Sequence, residues 1–326
     1  MMPRLEVVVF THNHELFIKR ALESVLSQKT TFEFCLRIHD DASTDTTAQI
    51  VNDFLSDSPI PWQLFREAEN RYANGISFFH EFIAASSAEF IAILDGDDFW
   101  IDDNKLQDQA DVLDRFPSTA LCHHPVLEFN LGAFTTIDWP PEEYRQDIIP
   151  GSKLSAQNVI STSSVVLRTS MLPKTMPPGF NSLRIGDYPM WSLASDGNDI
   201  AFIDKAMSAY RIHESNIWGL LQAEERFDRE LEARIYISNN VTERHRSLWR
   251  AGVVDSVKNY FGFSAVSQTL KDTETELEVR AKELLTAQAE LRAARLATQQ
   301  LLSSASWRFT EPLRKFRVAL RRLKRD

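Results

Sequence analysis

The sequence lacks any apolar run approaching the roughly twenty residues that a membrane-spanning helix needs. Its opening passes from Met1-Met2-Pro3-Arg4 straight into the strand-like stretch Leu5 to Phe10, without a signal-peptide pattern. A cytosolic protein, or one attached to a membrane from the cytosolic side, is therefore expected. Cysteine is nearly missing as well. Cys35 and Cys122 are the only two, each inside an apolar segment, which excludes a disulfide framework or a cysteine metal cage and suits a reducing compartment. There are no internal repeats. No glycine-rich basic loop follows the first strand, where Thr11-His12-Asn13-His14 stands instead, and this counts against a nucleotidyltransferase.

What is present is acidic and unevenly spread. The net charge is -10, yet the stretch from Arg308 to Asp326 holds eight basic and two acidic residues. That local excess of +6 leaves -16 on everything before it. An acidic body argues against general nucleic-acid binding, and the basic end needs a separate explanation.

Strand and helix signals alternate along the first hundred residues. Leu5 to Phe10, Phe34 to His39, Trp62 to Phe65 and Phe90 to Leu94 read as strands. Leu16 to Leu26, Thr46 to Leu55 (capped by Ser43 or Thr44) and Ile76 to Ala85 read as helices. The order predicts an α/β fold: a Rossmann-like, mixed but mostly parallel sheet flanked by helices. Ligands of such sheets bind beyond the carboxyl ends of the strands. The residues there are Thr11-His12-Asn13, Asp40-Asp41 and Asp95-Gly96-Asp97-Asp98. From Pro117 to about Ile217 the pattern is mixed, with strand candidates at Leu121 to His124, Ser164 to Arg168 and Ala206 to Ile212. This half is expected to complete one domain over 1–218 and to provide its acceptor side, with His123-His124 lining a pocket.

A helical linker is expected over 219–262 and a long helix over 263–303. Leu270, Leu277, Leu284 and Leu291 recur every seven residues, but the second seam of Thr273, Arg280, Ala287 and Ala294 is poor, so the helix is better supported than a coiled coil. In the last segment, 304–326, Phe309, Leu313, Phe316, Leu320 and Leu323 share one helical face with arginine and lysine around it. A basic amphipathic helix of this kind suits an anionic membrane surface, and the leucine seam suits a second copy or a partner enzyme.

The chemistry concentrates in Phe90-Ile91-Ala92-Ile93-Leu94-Asp95-Gly96-Asp97-Asp98, an apolar strand ending in three carboxylates. Like charges packed this closely favour a cation, and Mg²⁺ or Mn²⁺ takes one or two carboxylates together with substrate phosphates. Taken alone, the run is equally well a solvated turn whose aspartates cap the helix ahead of Lys105.

Several motifs in series narrow the reading. VVVFTHN, HDDASTDTT, LDGDDFWIDDNKLQDQ, RIGDYPMW and YRIHESN occur in that order. Over roughly residues 4 to 217 the chain resembles the family 2 glycosyltransferases of the A-type fold, as found in bacterial surface-polysaccharide synthesis. The resemblance implies a nucleotide-sugar donor and a saccharide or lipid-linked acceptor. It puts Asp41 on the nucleotide base, with Thr11 and Asn13 as the floor near it. It puts Asp95 near the ribose and Asp97 on a divalent cation (Mn²⁺ or Mg²⁺), with Asp98 sharing or exchanging that role. Asp187 falls where inverting members keep their catalytic base, and a positioned carboxylate suits deprotonation of an acceptor hydroxyl; read locally, it is also a plausible cap for the helix beginning at Tyr188. His213 matches a position that contacts the metal or diphosphate in some relatives, with Arg211 or Ser215 on phosphate oxygens. The sequence departs from the family at His12 and at Phe79-His80-Glu81, where Tyr and an Arg-Asn pair are frequent, and Arg71 is the candidate replacement. Of Trp100, Trp191 and Trp218, one at most is expected to stack on a sugar. A catalytically inactive scaffold acting through the tail is the rival reading; intact Asp41, Asp95, Asp97 and Asp187 count against it.

Overall fold

The computed structural model describes residues 3–136, 139–260 and 270–303. The chain divides into two compact units, Met1–Phe261 and Gly262–Asp326.

In the first unit the strands are β1 (Leu5–Thr11), β2 (Phe34–Asp40), β3 (Trp62–Arg66), β4 (Phe90–Asp95), β5 (Phe99–Trp100), β6 (Thr119–His123), β7 (Val126–Asn130), β8 (Ala133–Thr136), β9 (Ile148–Pro150), β10 (Val166–Arg168), β11 (Asp199–Phe202) and β12 (Ser208–Arg211). Eight form the main sheet in the order β3-β2-β1-β4-β10-β6-β11-β9. Its first four strands are mutually parallel, whereas β10 runs antiparallel to both β4 and β6. The expected mixed, mostly parallel α/β architecture is thus the observed one.

β1 is buried along its whole length because both of its faces are covered, as its unbroken apolar run requires. Leu5, Val7 and Val9 pack against α1 (Ile18–Leu26), α2 (Thr47–Leu55) and α4 (Lys105–Arg115) in one core. Val8 and Phe10 face a second core with α3 (Phe79–Ala84) and α5 (Asp187–Ala194). The N-cap of α2 is Thr46, not the expected Ser43 or Thr44, and it makes no side-chain cap; the preceding Asp45 accepts the Thr47 N–H on Oδ1 at 2.9 Å.

A second sheet, β5-β12-β7-β8, stands beside the first. It binds the segment after β4 to the segment after β12, since β5 and β12 pair antiparallel through Ala209 and Phe99. After the short α6 (Ile217–Leu220) come α7 (Ala223–Asn240) and α8 (Glu243–Tyr260). These helices occupy the stretch expected as a linker, and they pack into the core of the first unit: Ala233, Tyr236, Ile237 and Trp249 belong to the same core as Val8 and Tyr188. Gly252 permits that contact, because a Cβ there would lie 2.1 Å from the Ser155 carbonyl oxygen.

The second unit contains α9 (Leu270–Ser303), the long helix expected from the leucine spacing. Leu284, Leu291 and Leu296 are exposed on it. The basic segment expected at 304–326 lies outside the described residues.

Candidate active site

The parallel register gathers three strand ends at one edge. Thr11 pairs with Asp40, and Phe10 pairs with Asp95. The polar residues that terminate β1, β2 and β4 therefore line a single cleft, as the topology of open α/β sheets dictates.

At the β2 end the two adjacent aspartates have different tasks. Asp40 is buried and braces its own turn, accepting from Ser43 N at 2.9 Å and pairing with Arg66 Nε at 3.3 Å. Asp41, also buried, accepts the backbone N–H groups of Arg71 at 2.8 Å and Tyr72 at 3.0 Å. It thereby pins the loop after β3 across the cleft. Asn13 takes a left-handed backbone (φ 55°) and accepts the Thr44 N–H on Oδ1. His12 Nε2 meets Asn70 Nδ2 at 2.9 Å, so the departure from Tyr at this position is accommodated within the same loop cluster. The Arg71 guanidinium is held by Glu81 at 2.9 Å and Glu67 at 3.3 Å.

The turn after β4 separates its three carboxylates. Asp98 is buried, and its Oδ1 accepts the Arg211 N–H at 2.8 Å, which makes it a brace between the turn and β12. Asp95 and Asp97 stay partly exposed at the cleft. Burial raises the Asp95 carboxyl to about 8, reinforced by the charges of Asp97 and Asp187. Burial pushes Asp97 upward too, but the hydrogen bond from His213 and the charge of His14 outweigh it and hold Asp97 below its usual range. Asp97 Oδ2 lies 3.1 Å from His213 Nε2 and 3.7 Å from His14 Nε2. Gly96 is required here: a Cβ would come within 2.8 Å of Thr11 Oγ1 and 2.9 Å of His14 Nδ1. Among the described residues those two buried atoms have no hydrogen-bond partner.

Among the described residues no three His, Cys, Asp or Glu side chains form a ready metal cage. One carboxylate and one imidazole, Asp97 and His213, do converge. That donor set fits a divalent cation which takes its remaining ligands from water and substrate phosphates, the usual habit of Mg²⁺ and accessible to Mn²⁺.

Asp187 begins α5 on the other side of the cleft. Its Oδ1 accepts the Tyr188 N–H at 2.7 Å, and Thr162 Oγ1 donates to its Oδ2 at 3.5 Å. Burial raises its carboxyl above the usual range despite those bonds, and its charge reaches Asp95. Local capping and a share in the cleft are thus combined in one side chain. Arg211 lies nearby with its Nε on the Asp97 carbonyl oxygen at 2.7 Å.

One expectation needs correction. His123 and His124 are buried in the core rather than lining a pocket, and desolvation takes His123 down to about 3. Trp100 and Trp191 are buried as well, Trp100 donating from Nε1 to the Ser163 carbonyl oxygen; only Trp218 of the three is exposed. The sequence reading also passed over His14. Its place three residues beyond β1 was the available signal, but the contact with Asp97 depends on the neighbouring strand.

Comparison with known proteins agrees with this fold. The family model described as Glycosyl transferase family 2 matches residues 6–170. An uncharacterized protein of Mycobacterium tuberculosis is 32% identical over 66% of this chain, which spans 60% of that relative's length. The Escherichia coli UDP-Glc:alpha-D-GlcNAc-diphosphoundecaprenol beta-1,3-glucosyltransferase WfgD is 27% identical over 65% of this chain and 79% of its own. Among solved structures, Staphylococcus aureus TarS with UDP-GlcNAc superposes with a TM-score of 0.59 at 18% identity, over 80% of this chain and 73% of that one. The Pyrobaculum calidifontis mannosyltransferase PcManGT with GDP-Man and Mn²⁺ gives 0.55 at 16% identity, over 91% and 87%. At these identities the two structures speak to the fold alone.

Proposed function

This chain belongs to glycosyl transferase family 2, and on that premise we propose that it moves a sugar from a nucleoside-diphosphate donor to an acceptor hydroxyl with inversion at the anomeric carbon. The observation that carries the reading is the parallel register that brings the polar ends of β1, β2 and β4 to one edge, where Asp97 Oδ2 lies 3.1 Å from His213 Nε2.

In this reading Asp41 and the neighbouring Thr11 and Asn13 receive the nucleoside, and Asp95 the ribose. Asp97 and His213 hold a divalent cation. When bound there, the cation supplies neutralising charge for a diphosphate leaving group. Asp187 takes the proton from the acceptor hydroxyl as that oxygen attacks. Its raised pKa strengthens it as a base, and Thr162 and the Tyr188 N–H keep it oriented. Arg71 is engaged by Glu67 and Glu81, so its part in donor binding is to present its backbone N–H to Asp41 and keep that carboxylate in place.

The acceptor is a saccharide or a lipid-linked saccharide, in keeping with the substrate named for the E. coli relative. Surface-polysaccharide synthesis is the process this suits. The exposed leucines of α9 pair two chains or dock a partner enzyme, and residues 304–326 attach the protein to an anionic cytosolic membrane face. Liposome co-sedimentation of the full chain and of residues 1–302 tests the attachment: equal soluble fractions would remove it. The catalytic reading is tested by a panel of nucleotide sugars with Mn²⁺ or Mg²⁺, scored by acceptor-dependent release of nucleoside diphosphate. It fails if no donor is bound or turned over.

A further inference from the structure

Tyr72, in the loop after β3, is held from three parts of the first unit. Its N–H donates to Asp41 Oδ2 at 3.0 Å, which ties it to the end of β2. Its carbonyl oxygen accepts a hydrogen bond from Arg184 Nη1 at 2.7 Å, and the Arg184 guanidinium carbon lies 5.6 Å from the centre of its ring. Its phenol oxygen accepts from Arg229 Nη1 at 3.0 Å, on α7. Arg184 stands just ahead of Ile185-Gly186-Asp187 in the chain. One residue therefore touches the aspartate at one side of the cleft and the segment leading into Asp187 at the other. Contacts further along the loop repeat the arrangement. Ser77 donates its N–H to the Asn181 carbonyl oxygen at 2.9 Å, and a Cβ on Gly186 would lie 3.2 Å from Ser77 Oγ.

The side chain of Tyr72 is what distinguishes it within the loop. Any residue but proline could offer the N–H and the carbonyl; the phenol alone reaches Arg229, and the ring lies beside Arg184 in cation–π range. Arg229 is itself anchored, with its Nη2 on Glu225 Oε1 at 2.6 Å one turn earlier in α7. Asp41 depends on the same loop. It is buried, and its two oxygens take the N–H groups of Arg71 and Tyr72. A buried carboxylate deprived of its donors is costly, so the loop position and the orientation of Asp41 are set together. Both arginines lie beyond residues 6–170, the part matched by the family model.

We propose that Tyr72 is a positioning residue for donor binding, latched by Arg229 of α7 and by Arg184, and that it keeps Asp41 and the segment leading into Asp187 in one arrangement. The word donor rests on the sugar-transfer reading; the latch rests on the contacts alone.

The test combines amide hydrogen exchange with nucleotide binding, both on the full chain. Tyr72→Phe, which removes only the phenol oxygen, and Arg229→Met are each expected to speed exchange over residues 70–77 about tenfold, the scale of one hydrogen bond to a charged group. Exchange in β1 stays as in the wild type. The double variant exchanges no faster than either single one, because both remove the same contact. Arg229→Lys, which can still donate to the phenol, recovers part of the protection. Titration calorimetry with UDP, GDP, ADP and dTDP in Mn²⁺ should show nucleotide affinity falling in Tyr72→Phe and Arg229→Met and partly restored in Arg229→Lys. Unchanged exchange over residues 70–77 in both single variants would overturn the proposal. So would faster exchange with unchanged nucleotide affinity, which would make the contact structural only, or a loss of protection spread over the whole first unit. If the wild type binds none of the four nucleotides, the sugar-transfer reading fails, and the exchange result alone decides the latch.

Discussion

His213 Nε2 lies 3.1 Å from Asp97 Oδ2, so the segment after β12 is closed onto the turn after β4. This contact links the two sheets at the mouth of the cleft and presents one imidazole and one carboxylate to the same point. Replacing either residue should weaken Mn²⁺ binding more than it weakens the fold. His213→Ala and Asp97→Asn are expected to lower Mn²⁺ affinity by about tenfold or more, read by electron paramagnetic resonance titration with a thermal melt alongside. Unchanged Mn²⁺ affinity in both variants would remove the pair as a metal site.

Gly96 gives a sharper steric test. A Cβ there meets Thr11 Oγ1 and His14 Nδ1 at under 3 Å, two buried polar atoms that face the cleft. Gly96→Ala should therefore displace one of them and weaken nucleoside diphosphate binding by about tenfold, with far-ultraviolet circular dichroism unchanged. Titration calorimetry with the nucleotide preferred in the donor panel measures it.

Away from the site, Lys105 is buried with its Nζ on Gln109 Oε1 at 2.7 Å and over the Trp100 ring. Burial lowers its pKa from 10.5 to about 7. Between those values the unfolded chain carries a proton that the folded chain does not, so stability rises as pH increases through that window. Below pH 7 the full cost of burying the charge, on the order of a few kcal/mol, is already present. Urea unfolding at pH 7.5 and pH 9.5 should show greater stability at the higher pH, and Lys105→Met should flatten that difference.

Gly252 tests whether α7 and α8 belong to the catalytic unit. With the Ser155 carbonyl oxygen 2.1 Å from where a Cβ would sit, Gly252→Ala must push α8 away from the core. A loss of about 3 kcal/mol is expected despite the better helix propensity of alanine, measured by urea denaturation of the full chain. A neutral or stabilising result would mean that this packing does not contribute.

Much of this arrangement was legible in the sequence because local pattern and tertiary position coincided. The apolar runs of β1 and β4 announce strands covered on both faces, and their polar termini mark the ligand edge without further information. Asp97, Asp187 and His213 stand in recognisable phrases at element ends. What escaped has a common cause: its signal is held in pairing between distant segments. β5 is two residues long and exists only because Ala209 and Ser208 lie beside it. Asp95, Asp97 and Asp98 look alike in the sequence, yet the Arg211 N–H turns Asp98 into a brace and leaves the other two at the cleft. His123 ends β6 and His124 follows it, a position that reads as a pocket wall. Covering elements bury them instead.

The central claim is that Asp187 acts as the base for sugar transfer. Its most direct test is acceptor-dependent nucleoside diphosphate release by the wild type and by Asp187→Asn, with donor affinity measured on both. The account predicts that Asp187→Asn binds donor as the wild type does while its transfer rate falls by about 100-fold or more, the scale of a lost general base. Full transfer by Asp187→Asn would contradict it.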